Sequence, residues 1–92
     1  QLYKNIQQAY TDAVAALKKY NVSIKAVAST EESFRYTEQK FNVGMVTPVA
    51  YNAAKTQLLK SQSDLAQSKY EFIFKTKVLD FYKGIPISLE NN

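Results

Sequence analysis

Residues 41–48 read Phe-Asn-Val-Gly-Met-Val-Thr-Pro, and this stretch decides the fold. It is the single sharp break between two long segments whose apolar residues recur with a helical period. Gly44 stands where the upstream pattern stops, and glycine just past a helix end is the usual residue for a left-handed cap. The stretch therefore predicts a turn over residues 43–47 that joins two antiparallel helices.

The second helix has its own start signals. Thr47 followed by Pro48 is typical of an N-cap with proline at the first helical position, where a missing N–H costs nothing. Val46 and Tyr51 are placed around this cap as a hydrophobic staple. The turn is apolar where a solvated loop is more often polar, at Val43, Met45 and Val46. This composition favours recognition of the turn by a partner over a plain connecting loop.

Apolar or small residues recur every seven positions on both sides of the turn. Upstream they form the a series Ile6, Ala13, Tyr20, Val27, Phe34, Phe41 and the d series Leu2, Ala9, Ala16, Ser23, Thr30, Thr37. Downstream they form the a series Tyr51, Leu58, Leu65, Phe72, Leu79 and the d series Thr47, Ala54, Ser61, Ser68. A sustained seven-residue repeat implies a left-handed supercoil. The sequence predicts an all-α chain, a long antiparallel two-helix coiled-coil hairpin with helices at about 2–42 and 48–83.

Each helix carries a further apolar row beside this seam. The rows are Tyr3, Tyr10, Leu17, Ile24 on the first helix and Leu59, Ala66, Ile73 on the second. Aromatics near the end of the second helix point in several directions: Tyr70, Phe72, Phe74, Phe81, Tyr82. A two-helix hairpin has no third layer to cover such surface, so each helix requires two neighbours. We expect a fragment of a longer protein, with an extended tail over 85–92, that belongs to a larger helical assembly.

Composition argues against several classes of function. The chain has no cysteine and no histidine, and its eight carboxylates are mostly isolated on helical faces. No catalytic, cofactor or metal site is therefore predicted, and the chain is not predicted to be an enzyme. The formal charge of +4 comes from scattered lysines without a dense basic run, so nucleic-acid binding is disfavoured. No apolar run approaches the roughly 20 residues of a membrane-spanning helix.

Residues 36–89 combine an aromatic-x-Val-Gly turn with a long Ala- and Leu-rich helix that closes on a glycine. The residues of this pattern are Phe41, Asn42, Val43, Gly44, Thr47, Ala54, Leu58, Leu65, Ala66, Tyr70, Ile73, Leu79, Gly84, Leu89 and Glu90. The pattern resembles the C-terminal helical repeat of TolC-type outer-membrane efflux proteins. The sequence Gln8-Ala9-Tyr10 and the small-residue heptads resemble the preceding long helix, so the resemblance covers nearly the whole chain.

The resemblance implies a trimer in the outer membrane of a Gram-negative bacterium, with long helices that form a tunnel through the periplasm. The outer-membrane strands of that family have no counterpart in these residues. Hairpin turns of this kind dock the periplasmic adaptor of a tripartite pump, whose energy comes from an inner-membrane transporter. The residues at the adaptor-binding tip would be Val43, Gly44, Met45 and Thr47. As an isolated fragment, the hairpin is expected to self-associate, for example as a four-helix antiparallel dimer.

The resemblance also places a gate region at the turn. Phe41 falls where some members have a tyrosine that helps to close the gate, and Val46 falls where they have an arginine. Ala50 replaces an aspartate that is frequent just after the turn. The polar gate contacts of those members are therefore not available to this chain, and the tip location is better supported than any gating bond.

Two alternatives remain. Periplasmic adaptors and other coiled-coil scaffolds also carry long antiparallel hairpins. Flanking sequence would separate them, because membrane strands indicate the channel and lipoyl-like β domains indicate the adaptor. A nucleic-acid-binding hairpin is the third class, and it is supported by net charge alone.

Overall fold

A computed structural model shows two helices, α1 (Leu2–Asn42) and α2 (Pro48–Asn91), packed as a hairpin. The structure describes the backbone of residues 2–91 and the side chains of residues 3–84. The predicted all-α hairpin is confirmed, and so is the five-residue turn at 43–47. The extended tail predicted for residues 85–92 lies outside the fully described residues.

The hairpin consists of two compact units, which we describe separately. The terminal unit contains Gln1–Tyr20 and Ser68–Asn92. Its buried core is a cluster of Ala9, Ala13 and Leu79, with Val78 and Tyr82 packed against it. The rings of Tyr20 and Phe72 stack across the two helices with their centroids 5.9 Å apart. In this unit, therefore, small alanines and large rings together fill the space between the helices.

The tip unit contains Asn21–Gln67. Val27 is buried there, and the hydroxyls of Thr30 and Ser61 lie within hydrogen-bond distance across the helices, with the oxygens 3.3 Å apart. Thr30 donates its hydroxyl proton to the carbonyl of Ala26 in its own helix, at 2.6 Å. A hydroxyl that bonds locally in this way occupies a seam position without leaving an unsatisfied polar group.

The seven-residue pattern is confirmed by burial. On α1, the predicted a and d positions from Ile6 to Phe41 are all buried or half-buried, and Asp12 and Lys40 are half-buried beside them. On α2 the predicted positions from Tyr51 to Leu79 are likewise buried or half-buried, and near the end of the helix the half-buried set also includes Glu71, Lys75, Thr76 and Val78. The most buried positions are small: Ala16 is 3 % exposed and Ser68 is 1 % exposed. Small residues at the d positions allow the helices to approach closely, but each contributes little apolar area.

The second apolar row of each helix lies on the surface of the hairpin, as predicted. Tyr3, Tyr10, Leu17 and Ile24 are exposed on α1, and Leu59 and Ile73 are exposed on α2. Of the aromatics near the end of α2, Phe72 lies in the seam and Tyr82 is half-buried, whereas Tyr70, Phe74 and Phe81 are exposed. The two helices alone therefore leave large apolar side chains in water.

One ion pair links the helices of the terminal unit. Glu71 and Lys75 have the spacing of a helical ion pair, but the Glu71 carboxylate instead lies 3.4 Å from the Lys19 ammonium on α1. Lys75 is half-buried at a seam position. Because both partners of the observed pair are substantially exposed, the pair is expected to add little to the stability of the hairpin.

Candidate functional site: the hairpin tip

The end of α1 is closed by a Schellman motif. Gly44 has φ = 77°, a left-handed conformation that side chains disfavour. Its N–H donates to the carbonyl of Phe41 at 3.0 Å, and the N–H of Met45 donates to the carbonyl of Lys40 at 2.8 Å. These are the two bonds that define the motif, with Gly44 at the first position beyond the cap. The last carbonyls of α1 are thus satisfied within the turn.

The start of α2 is capped by Thr47. Its hydroxyl accepts a hydrogen bond from the backbone N–H of Ala50 at 3.1 Å, which is the N-cap geometry predicted from the sequence. Pro48 opens the helix, and the N–H of Tyr51 then donates to the carbonyl of Thr47 at 3.0 Å. The polar backbone at both ends of the turn is therefore largely occupied by the chain itself.

Three aromatic rings fix the turn to the helices. The rings of Phe41 and Tyr51 stack with centroids 4.4 Å apart, and Phe34 packs against Tyr51 at 5.5 Å. Stacked or tilted ring pairs at such distances are favourable beyond the area that they bury. We call these three residues the aromatic clamp. It joins the last three turns of α1 to the first turn of α2.

The surface of the tip is apolar. Val43 and Met45 are each 71 % exposed and Val49 is 78 % exposed. Gly44 and Thr47 are also exposed, so the structure leaves all four predicted tip residues accessible at the turn. These side chains lie on a turn whose backbone bonds are already made, so a partner would meet mainly hydrocarbon.

The exposure of Val46 and of Val49 at the tip was not predicted correctly from the sequence. Val46 is half-buried, as a residue of the staple around Thr47 would be, so the expectation that it adds to the exposed apolar surface was wrong. Val49 was missed as a member of that surface. The signal that identifies it is its heptad position, two residues before the a residue Tyr51 and on the side of α2 away from the seam.

The gate region predicted at Phe41 and Val46 is only partly accessible. Both residues are half-buried, and the ring of Phe41 is engaged by Tyr51. On the neighbouring turn of α1, the Lys40 ammonium lies 4.4 Å from the centre of the exposed Tyr36 ring, a cation–π contact. Lys40 and Tyr36 are therefore paired with each other within α1, whereas Phe41 pairs with Tyr51 of α2.

The described residues contain no cluster of three or more potential metal-ligating side chains. Within the same residues, neither helix is long and apolar enough to cross a membrane. No protein-family model, curated protein or solved structure matches the chain. The resemblance to TolC-type proteins therefore stays a prediction from the sequence.

Substitution of Gly44 tests the backbone conformation of the turn directly. Replacing Gly44 with alanine is expected to lower the free energy of unfolding by about 1–2 kcal/mol, because a Cβ is disfavoured at positive φ. A Cβ at this position would meet no other atom within 4 Å, so the expected loss comes from the backbone alone. Urea unfolding followed by helicity measures it.

Gly84 is the matched control for this substitution. It is the chain's other glycine, it lies in α2, and a Cβ there also meets no atom within 4 Å. Gly84→Ala is expected to leave stability unchanged or to raise it by up to about 1 kcal/mol, because alanine favours the helix. Equal effects of the two substitutions would contradict the assigned role of the Gly44 conformation.

Proposed function

We propose that this chain is the periplasmic helical hairpin of a trimeric outer-membrane efflux or secretion channel of a Gram-negative bacterium. Its helices form part of the tunnel wall, and its tip docks the periplasmic adaptor of a tripartite pump. The channel conducts passively, and the inner-membrane pump supplies the energy. The observation that carries this proposal is the tip, where a capped turn presents three exposed apolar side chains.

The geometry of the tip is better suited to binding a partner than to catalysing a reaction. The exposed Val43, Met45 and Val49 offer hydrocarbon for burial, at about 25 cal/mol per Å² of apolar surface removed from water. The capping bonds and the aromatic clamp fix the backbone that carries these side chains before a partner arrives. A preorganised surface loses less entropy on binding, so a small patch is able to contribute useful affinity.

The exposed apolar residues on the flanks of the hairpin support the proposal that it forms part of a tunnel wall. Each helix buries one stripe in the seam and leaves further large apolar residues exposed, such as Leu17 on α1 and Leu59 on α2. In a closed ring of helices every helix has a neighbour on either side, so such residues become buried. This argument favours an assembled wall over an isolated hairpin, and it is independent of the tip.

Photo-crosslinking in the full-length protein, in its own cells, tests the docking. A photoreactive residue placed at Met45 is expected to capture a protein that mass spectrometry identifies as an adaptor, with a helical hairpin flanked by lipoyl-like β domains. The matched control places the photoreactive residue at Ser63, which is exposed on α2 of the tip unit. This position is expected to capture less of the adaptor. Met45→Glu is expected to reduce export, because burying a carboxylate in an apolar contact is costly.

The outcomes separate the candidate functions. Capture of an outer-membrane channel from Met45 would show that the chain is instead the hairpin of an adaptor. Absence of any capture specific to Met45, together with unchanged export by the Met45→Glu protein, would reject docking through the tip.

A further inference from the structure

The terminal unit carries two exposed apolar faces, one on each helix. The α1 face consists of Tyr10, Val14 and Leu17, all exposed. The α2 face consists of the exposed Phe74 and Phe81 with the half-buried Val78 between them. Each set has a spacing of three, four or seven residues, which places its members on one side of a helix.

The two faces lie on opposite flanks of this unit. The ion pair of Lys19 and Glu71 marks one flank. On α2, Phe74 and Val78 follow Glu71 by three and seven residues, so the α2 face lies on the flank of the ion pair. On α1, Leu17 precedes Lys19 by two residues, or about 200° around the helix, so the α1 face lies on the other flank.

The charges that border the faces differ in sign. Beside the α1 face are two shallow grooves, each of about 400 Å³, and they include the side chains of Lys18 and Lys83. On the opposite flank a groove of about 170 Å³ lies between Asp12 and Val78, and Glu71 borders the α2 face, where its ion pair with Lys19 offsets part of the negative charge. Asp80 partly offsets the positive charge of the first flank.

We propose that the chain associates with further copies of itself head to tail, with the α1 face of one copy packed on the α2 face of the next. Pairing unlike faces brings the flank of Lys18 and Lys83 against the flank of Asp12 and Glu71, whereas pairing the α1 face with itself opposes lysines. A head-to-tail contact also covers both faces, while a symmetric contact through one face leaves the other in water.

The available area indicates a weak interface. The three aromatics Tyr10, Phe74 and Phe81 are each more than half exposed. Since an aromatic side chain has about 150–250 Å² of surface, together they offer roughly 300–400 Å² of apolar area. A stable interface buries about 1,200–2,000 Å² in total, so association is expected only at high protein concentration. The inference rests on these faces alone and does not require the proposed channel.

A complementation experiment on the full 92-residue chain tests the proposal. One variant blocks the α1 face with Tyr10→Glu and Leu17→Glu, and the other blocks the α2 face with Phe74→Glu and Phe81→Glu. Sedimentation equilibrium is expected to show concentration-dependent growth beyond a dimer for the native chain. Each variant alone is expected to remain monomeric, because every contact needs both faces. Their equimolar mixture is expected to form dimers that do not grow, since each variant contributes its intact face once.

Gln39→Glu with Ser63→Glu is the matched control. It introduces the same charge change at two exposed polar residues of the tip unit, and it is expected to associate like the native chain. Helicity measured on every sample shows that the variants are folded, and alanine versions of both blocked faces provide a second set in which helix propensity is favourable.

A native chain that stays monomeric up to millimolar concentration would overturn the proposal. So would a blocked variant that still associates like the native chain, which would show symmetric pairing through the other face. A mixture that stays monomeric while the native chain associates would also overturn it.

Discussion

Replacing Tyr51 with alanine is expected to lower the free energy of unfolding by about 2–4 kcal/mol and to separate the first turn of α2 from the end of α1. The change removes both ring pairs of the aromatic clamp, with Phe41 at 4.4 Å and Phe34 at 5.5 Å. Each pair is worth about 0.5–1.5 kcal/mol beyond its area, and the lost burial adds about 1 kcal/mol. Thermal and urea unfolding, followed by helicity at a fixed low concentration, measure the loss.

Two controls isolate the clamp. Tyr51→Phe keeps the stacking and removes only a hydroxyl, so it is expected to change stability by less than about 0.5 kcal/mol. Tyr70→Ala removes the same atoms from α2 at a site that is 70 % exposed, and it is also expected to have a small effect. If Tyr51→Ala and Tyr70→Ala lowered the free energy of unfolding equally, the aromatic clamp would not be what stabilises the tip.

Replacing Ala16 with leucine is expected to cost about 1–3 kcal/mol, because it forces extra volume into a seam that is closed by small residues. Ala16 is 3 % exposed, the lowest value among the buried apolar residues of the described chain. The aromatic pair of Tyr20 and Phe72 occupies the next turn of the seam, so a leucine must displace the helix backbone or adopt a strained rotamer. Urea unfolding with far-ultraviolet circular dichroism measures this cost.

Ala15 provides the control in the adjacent position. Ala15→Leu introduces the same side chain and the same change in helix propensity at an exposed site, so stability is expected to change by less than about 0.5 kcal/mol. The difference between the two variants isolates packing in the seam. A gain in stability from Ala16→Leu would mean that the helices move apart at little cost, and close approach would then not be a property of this hairpin.

The helices and the turn were predictable because their determinants are local. Periodicity places Ala16 and Val27 in the seam, and the backbone preferences of Gly44, Thr47 and Pro48 set the end of α1 and the start of α2. Each of these signals spans only a few residues, so the structure reproduces them at the predicted positions.

Features that depend on how the two helices face each other were not predictable in the same way. Glu71 has Lys75 one turn away, yet it pairs with Lys19, because the packing of α1 on α2 brings Lys19 nearer and places Lys75 in the seam. At the tip, the half-buried position of Val46 and the exposure of Val49 follow from the direction in which α2 leaves the turn. The four predicted tip residues are accessible as expected, but the apolar surface also includes Val49.

The capping bonds at the turn have a consequence for how the exposed surface of the tip can change over time. The bonds made by Gly44, Met45 and Thr47 use backbone atoms or the Thr47 hydroxyl, and none of them uses the side chains of Val43, Met45 or Val49. Those three side chains can therefore be exchanged without rebuilding the loop that carries them. The residues that set the shape of the turn are therefore distinct from those that set the chemistry of its surface, so a few outward-facing substitutions can change that surface on an unchanged backbone.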